Sequence, residues 1–151
     1  MALTYGPDGT RAIKSWPFGK TLYPSADIEI DANTPGSEVF TYYPHPDIKI
    51  TATAGGITGR YVLLRDHLAS IRRVTDANGN VAEETSYAAY GELTNTSMQT
   101  QKSYIGERFD PQTGLTYLNA RSYDPAFGRY VPPDEAGDQA GQARPKQVGH
   151  P

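Results

Sequence analysis

The chain has 151 residues, enough for one domain with a core of its own at the usual ~100–200 residues per domain. Its formal net charge of −3 is spread without a block of one sign, so neither nucleic acid nor an anionic membrane surface is an expected partner, and no run approaches the ~18 apolar residues of a membrane span. The absence of cysteine excludes a disulfide framework and thiolate chemistry, and it leaves the redox compartment open. An apolar fraction of only 37% is offset by 11 Tyr and 4 Phe, while 15 Gly and 12 Pro suit many turns between strands rather than long helices.

Met1-Ala2-Leu3 lead towards a turn at Pro7-Asp8-Gly9 without the apolar segment of a secretory signal, so export by a signal of the chain's own is not expected. Residues 11–16 read as a weak edge strand that places Ile13 on one face with Arg11 and Ser15. Asp27-Ile28-Glu29-Ile30-Asp31 alternates strictly, Asn33-Thr34-Pro35-Gly36 turns, and Val39-Phe40-Thr41-Tyr42-Tyr43 returns, which predicts a hairpin. Pro44 and Pro46 break the chain before residues 47–53 resume alternation, and Gly55-Gly56 turns it into Arg60-Tyr61-Val62-Leu63-Leu64. Asp66-His67-Leu68 interrupts, residues 70–74 continue as a strand, and Asn78-Gly79, a strong short-range hairpin signal, sends the chain back through 81–87. Residues 94–101 are polar apart from Met98 and read as a loop prone to disorder; 118–122 leaves open a single helical turn. Residues 135–151 carry no large apolar residue except Val148 and are expected to form a disordered tail.

The segment 104–134 repeats one phrase. Phe109-Asp110-Pro111-Gln112-Thr113-Gly114-Leu115 and Tyr123-Asp124-Pro125-Ala126-Phe127-Gly128-Arg129-Tyr130 both place an aromatic residue before Asp-Pro and a Gly two or three residues later. Asp accepts from backbone amides two residues on, Pro fixes the first corner, and Gly takes the positive φ that closes the turn, so each phrase should reverse the chain between strands. Looser copies at Gly6-Pro7-Asp8-Gly9, Asp76-Ala77-Asn78-Gly79 and Tyr87-Ala88-Ala89-Tyr90-Gly91 make the whole a degenerate array of hairpins.

These phrases, with Arg65-Asp66-His67-Leu68, Tyr90-Gly91-Glu92, Tyr104-Ile105-Gly106-Glu107 and Asn119-Ala120-Arg121-Ser122-Tyr123-Asp124-Pro125, resemble the C-terminal core of Rhs and YD-repeat proteins. The resemblance covers residues 61–134; residues 5–58 resemble the less defined repeats that precede the core. It implies an all-β fold of sequential antiparallel hairpins forming part of a curled YD-repeat β-shell, divided into 1–60 (repeat hairpins), 61–134 (core) and 135–151 (tail). The signature turns then comprise Asp66, His67, Asp76, Gly79, Gly91, Asp110, Gly114, Tyr123, Asp124, Gly128 and Arg129.

In that family the core is an intramolecular aspartyl protease, whose motifs match Arg121 and Asp134 here. Its third motif, a downstream Asp-Pro-x-Gly-Leu, is absent, so the two carboxylates needed to share a proton are not both supplied. Asp110-Pro111-Gln112-Thr113-Gly114-Leu115 is one residue too long to replace it. Asp66-His67 suggests a base oriented by a carboxylate, with Ser70 nearby, but no nucleophile elbow accompanies them and His67 is read as a turn residue satisfying backbone groups. His45 and His150 lack metal-ligand spacing, so no metal and no cofactor are expected. Asn95-Thr96-Ser97 is a glycosylation sequon only in a eukaryotic secretory setting.

The tyrosines are read as shell-stiffening residues that pack their rings and satisfy their hydroxyls at the rim. The resemblance then implies a structural segment of a shell that encloses a C-terminal toxin or effector, as in secreted bacterial polymorphic toxins, with the rest of the shell and its cargo as partners. Two alternatives are a free-standing module binding carbohydrate or a cell-surface partner through Tyr42, Tyr61, Tyr87 or Tyr117, and a remnant autoprotease. Localisation is left open between the cytoplasm before export by a specialised secretion system and the cell surface as part of a larger protein.

Overall fold

The computed structural model describes residues 1–94, 100–119 and 121–132. It is all-β apart from one 3-10 turn at Tyr104–Gly106. Nine strands, β1 (Ala2–Tyr5), β2 (Arg11–Trp16), β3 (Gly19–Ser25), β4 (Ile28–Asp31), β5 (Val39–His45), β6 (Ile48–Thr53), β7 (Gly56–Arg65), β8 (Ile71–Asp76) and β9 (Val81–Glu84), form one sheet in sequence order, every neighbour antiparallel. A second sheet holds β10 (Arg108–Asp110), β11 (Leu115–Leu118), β12 (Arg121–Asp124) and β13 (Arg129–Val131), again in order. The expected all-β array of sequential hairpins is therefore the architecture found. The larger sheet is not closed: among the described residues β1 pairs only with β2, and β9 only with β8. The tail at 135–151 and residues 95–99 of the expected loop lie outside the described residues, and the 60/61 boundary falls inside β7.

Several local expectations change. The segment 11–16 is no edge strand, because β1 and β3 flank it, and the two strands that sequence reading missed are short or interrupted by Pro24. Arg11 does not share a face with Ile13: Thr4 pairs with Ile13 and Tyr5 with Arg11, so Ala12 is an extra residue, and this bulge turns Arg11 to the buried side with Lys14. Within 118–122, β11 ends at Leu118, Asn119 takes φ 59° and β12 begins at Arg121, while residue 120 lies outside the described residues.

The large sheet buries its polar face. Cross-strand partners lie on one face, so Glu29–Thr41–Thr51 and Lys14–Thr21–Asp31 line the covered side. The row Ile13–Leu22–Ile30–Phe40–Ala52–Ile57 lies on the other, where Phe40 and Ile57 are 38% and 54% exposed. The apolar core is correspondingly small: Tyr43, Leu63, Ile71 and Val74, backed by Tyr61, in the large sheet, and Leu115 with Val131 in the small one. Side-chain bonds between the sheets join Arg11 and Lys14 to Asp110, Arg108 to Glu29 and the Arg11 amide to the Tyr117 hydroxyl.

Candidate functional site

The signature turns do local work first. In the β8–β9 turn the Asp76 carboxylate accepts from the Asn80 and Asn78 amides at 2.9 Å each, while Gly79 N–H donates to the Asp76 carbonyl at 3.1 Å. Between β7 and β8, Asp66 accepts from the Leu68 and Ser70 amides and from Arg72 Nε, at 2.9, 3.0 and 2.8 Å. Asp66 thus serves the backbone groups that sequence reading gave to His67, which is exposed. Asp110 opens the β10–β11 turn, where its carbonyl accepts from Gly114 N–H at 2.7 Å, and Asp124 opens β12–β13, accepting from Ala126 N–H at 3.1 Å.

The amide bonds from Asn80, foremost, hold the Asp76 carboxyl below its ordinary 3.8. Asp66 is lowered too: burial pushes it up, and the bonds from Arg72, Leu68 and Ser70 outweigh that. A group depressed in the folded state stabilises above its unfolded pKa and loses that contribution as pH falls through the folded value. Thermal melts of the wild type should therefore drop as pH falls below about 4, and Asp76→Asn should have a shallower acid limb. Parallel limbs would show that Asp76 contributes nothing to the acid response.

The core motifs then assemble an aromatic ladder. Tyr87, Tyr104, Tyr123 and Tyr130 follow one another with ring centroids 5.7, 6.4 and 5.7 Å apart, joining the exit from β9 to the 3-10 turn and to β12 and β13. Tyr87 donates its hydroxyl to the Ile71 carbonyl at 2.6 Å and Tyr123 to the Tyr90 carbonyl at 2.7 Å. Burial pushes the Tyr87 hydroxyl up to about 12. The motif glycines make room: Gly91, at φ +92°, lies so close under Tyr104 that a Cβ would stand 2.3 Å from the ring, and at Gly128, at φ +62°, a Cβ would stand 2.9 Å from Tyr90. Arg129 and Arg121 lie on the exposed rim, 5.5 Å over the rings of Phe127 and Tyr130 respectively.

Beneath the small sheet lies a charge cluster that the motifs only half reveal. Asp110 accepts from Arg11 Nη1 at 2.5 Å and Lys14 Nζ at 3.0 Å, and Arg108 Nε donates to Glu29 Oε1 at 2.7 Å. All five side chains are at most 11% exposed. The Arg11 guanidinium sits 4.8 Å from the Tyr23 ring centre and 4.4 Å from that of Tyr117, whose hydroxyl accepts from Arg11 N–H at 2.8 Å. Burial opposes the Arg11 charge, and Asp110 more than restores it. Sequence reading found Asp110 as a turn residue and missed Arg11, Lys14, Glu29 and Arg108; the one available signal was charge at alternating strand positions, which ordinarily marks a solvated face.

Of the family's protease positions the structure describes Arg121 alone. Arg121 is on the β12 rim, and Asp134 lies outside the described residues. Ser70 is buried and its Oγ accepts from Ile105 N–H at 2.8 Å. His45 uses Nδ1 to accept from Asp47 N–H at 3.1 Å, His150 lies outside the described residues, and no group of three potential metal ligands occurs among the described residues. The four tyrosines named for a binding face do not share one: Tyr117 is 8% exposed, and Tyr42 pairs with Ile50, one position from the Lys49–Tyr61 pair and hence on the opposite face.

Comparison with known proteins places this geometry. The Teneurin YD-shell family model matches residues 55–148, reaching past Asp134. Teneurin-3 of Mus musculus is 28% identical over 120 residues, which is 78% of this chain and 4% of that protein. Double-stranded DNA deaminase toxin A of Burkholderia cenocepacia (strain H111) is 35% identical over 83 residues, 50% of this chain and 6% of the toxin. The crystal structure of TcdB2-TccC3 superimposes with a TM-score of 0.70 at 17% identity, over 83% of this chain and 7% of that one, which shows a common fold.

Proposed function

The chain belongs to the teneurin YD-shell family, and from that premise we propose that it forms the wall and closure of a YD-repeat shell around a polypeptide toxin or effector. The observation that carries this reading is the nine-stranded meander, whose β1 and β9 have no second strand neighbour among the described residues, with an apolar face left to solvent. A strand edge presents a row of free amides and carbonyls, a template for the next strand of a longer sheet. Repeat architectures bury such edges and faces against adjoining turns. The matched proteins are far longer, this chain spanning 4% and 6% of the two relatives, which is the relation of a segment to a whole shell. In this reading residues 1–60 supply repeat hairpins and 61–134 supply the core that closes the shell, the tyrosine ladder and charge cluster holding the small sheet to the large one.

The test is the solution mass of the purified chain by light scattering after size exclusion, with circular dichroism on the same peak. Strand-containing species that grow with concentration, and rapid amide exchange in β1 and β9, are expected. A monodisperse monomer with β1 and β9 protected would mean that the hairpins close on themselves, and the shell reading would fall. Intact mass followed on the same sample, against Asp134→Asn, tests the autoprotease positions Arg121 and Asp134; a constant mass is expected.

A further inference from the structure

The hairpin around the 3-10 turn sets one lysine against an arginine. Phe109 N–H donates to the Gln101 carbonyl and Ser103 N–H to the Glu107 carbonyl, each at 2.9 Å, which makes Lys102 and Arg108 the directly opposed pair between those bonds. Side chains of such a non-hydrogen-bonded pair leave one face with Cβ atoms about 4.5–5.5 Å apart, and like charges so placed repel. Arg108 has settled its own charge, donating Nε to Glu29 at 2.7 Å and Nη2 to the Ala26 carbonyl at 2.8 Å. Lys102 has no such partner.

Its Nζ stands 4.1 Å over the Tyr43 ring, the side chain is 15% exposed, and the Asp27 carboxylate is 3.9 Å away, beyond hydrogen-bond distance. The nitrogen has no hydrogen-bond acceptor among the described residues, yet it is not sealed from water. The other described lysines differ: Lys14 donates to Asp110, Lys49 donates to Thr100, and Lys20 is exposed. The charges facing Lys102 are Asp27 before β4, Glu29 on β4, Arg65 on β7 and Arg108 on β10. Burial foremost, and then Arg108, holds the ammonium below its ordinary 10.5 against the pull of Asp27 and Glu29. A lysine that is desolvated or set beside another cation is the kind that acts as a nucleophile. We propose that Lys102 is an acyl-acceptor site, whose uncharged amine attacks the carbonyl of an acyl thioester. The nitrogen lone pair forms the new N–C bond, the C–S bond breaks, and the thiolate takes the proton that nitrogen sheds, so no oxidant or further reactant is needed. The amide product carries no charge and ends the opposition to Arg108. The proposal rests on this hairpin and its neighbours and does not depend on the shell reading.

The test treats the full chain briefly with S-acetyl-N-acetylcysteamine and reads, by peptide mass spectrometry, acetylation of Lys102 against Lys20 in the same molecule. Lys102 should react faster by about threefold or more near pH 7, and the ratio should fall as both amines lose their protons above about pH 10. In urea the preference should vanish, because Tyr43, Arg65 and Asp27 come from distant parts of the chain. A folded chain that acetylates Lys102 no faster than Lys20 near pH 7, or a preference that survives in urea, overturns the proposal. The variant Asp27→Asn separates charge from access. The Asp27 side chain is 64% exposed and its carbonyl keeps the bond from Tyr43 N–H, so the substitution leaves the packing in place. Without the carboxylate that favours the ammonium, the Lys102 to Lys20 ratio should rise by about twofold or more. An unchanged or lower ratio overturns the electrostatic assignment.

Discussion

Asp110→Ala is expected to cost about 3–5 kcal/mol, because it leaves two buried cations without their counterion. Arg11 and Lys14 are each 2% exposed at the side chain, and both depend on this one carboxylate, so neither can turn to water when it is removed. Against a total stability of roughly 5–15 kcal/mol for a domain, that is enough to unfold much of the population at ordinary temperature. The same residue opens the β10–β11 turn, yet there it uses its carbonyl, which the substitution keeps. The loss should therefore come from the charges and not from the turn. Two further variants separate these causes. Asp110→Asn keeps an acceptor without the charge and should fall between wild type and Asp110→Ala in urea midpoint. Replacing Arg11, Lys14 and Asp110 together by Met, Met and Leu removes every charge of the trio and should recover most of the loss, since a buried ion pair is worth little more than a well-packed apolar substitute. If the triple variant is as unstable as Asp110→Ala, the packing of Arg11 between Tyr23 and Tyr117 matters more than its charge.

The turns of this fold were legible because their chemistry is local. Asp66, Asp76, Asp110 and Asp124 each accept from or lead into residues two to four positions on, and a five-residue window contains the whole reason for the turn. Sequential hairpins then dictate the sheet order, which needs no long-range information. The face of each strand was the harder question. Asp27-Ile28-Glu29-Ile30-Asp31 alternates as a half-buried strand should, and the usual assumption buries the isoleucines, but Glu29 is the buried member, 2% exposed, because Arg108 meets it from 79 residues away. Arg11 was misplaced for two reasons: a bulge of a single residue flips its side, and its partners Asp110 and Tyr117 lie 99 and 106 positions on. Neither contact leaves a mark in any short window. The tyrosine motifs were visible as sequence, and their joining into one ladder was not, since Tyr87 and Tyr130 belong to different sheets' margins and meet only through Tyr104 and Tyr123.

Gly91→Ala should be nearly as damaging as the loss of Asp110, for a steric reason. The position sits at φ +92°, where an L side chain is strained, and its new methyl would stand 2.3 Å from Cδ1 of Tyr104. Backbone strain of about 1–2 kcal/mol adds to an overpacking cost of about 1–3 kcal/mol. Tyr104 is the second rung of the ladder, so pushing its ring aside loosens contacts to Tyr87 on one side and Tyr123 on the other. Near-ultraviolet circular dichroism, which reports tyrosines held in fixed environments, should weaken together with the thermal midpoint. Tyr104→Ala alone opens the ladder and removes the ring that Gly91 accommodates. In the double variant the methyl has nothing to strike, and only the φ strain remains of the Gly91 effect. The double variant should thus be more stable than the two single losses predict, by about 1–3 kcal/mol, the size of coupling seen between residues in contact. Strict additivity would mean that Gly91 is required by its backbone angle alone and that the Tyr104 ring is free to move. A coupling of the expected size would identify the Tyr-Gly-Glu phrase as a packing motif, in which the glycine is there for the aromatic ring that crosses it.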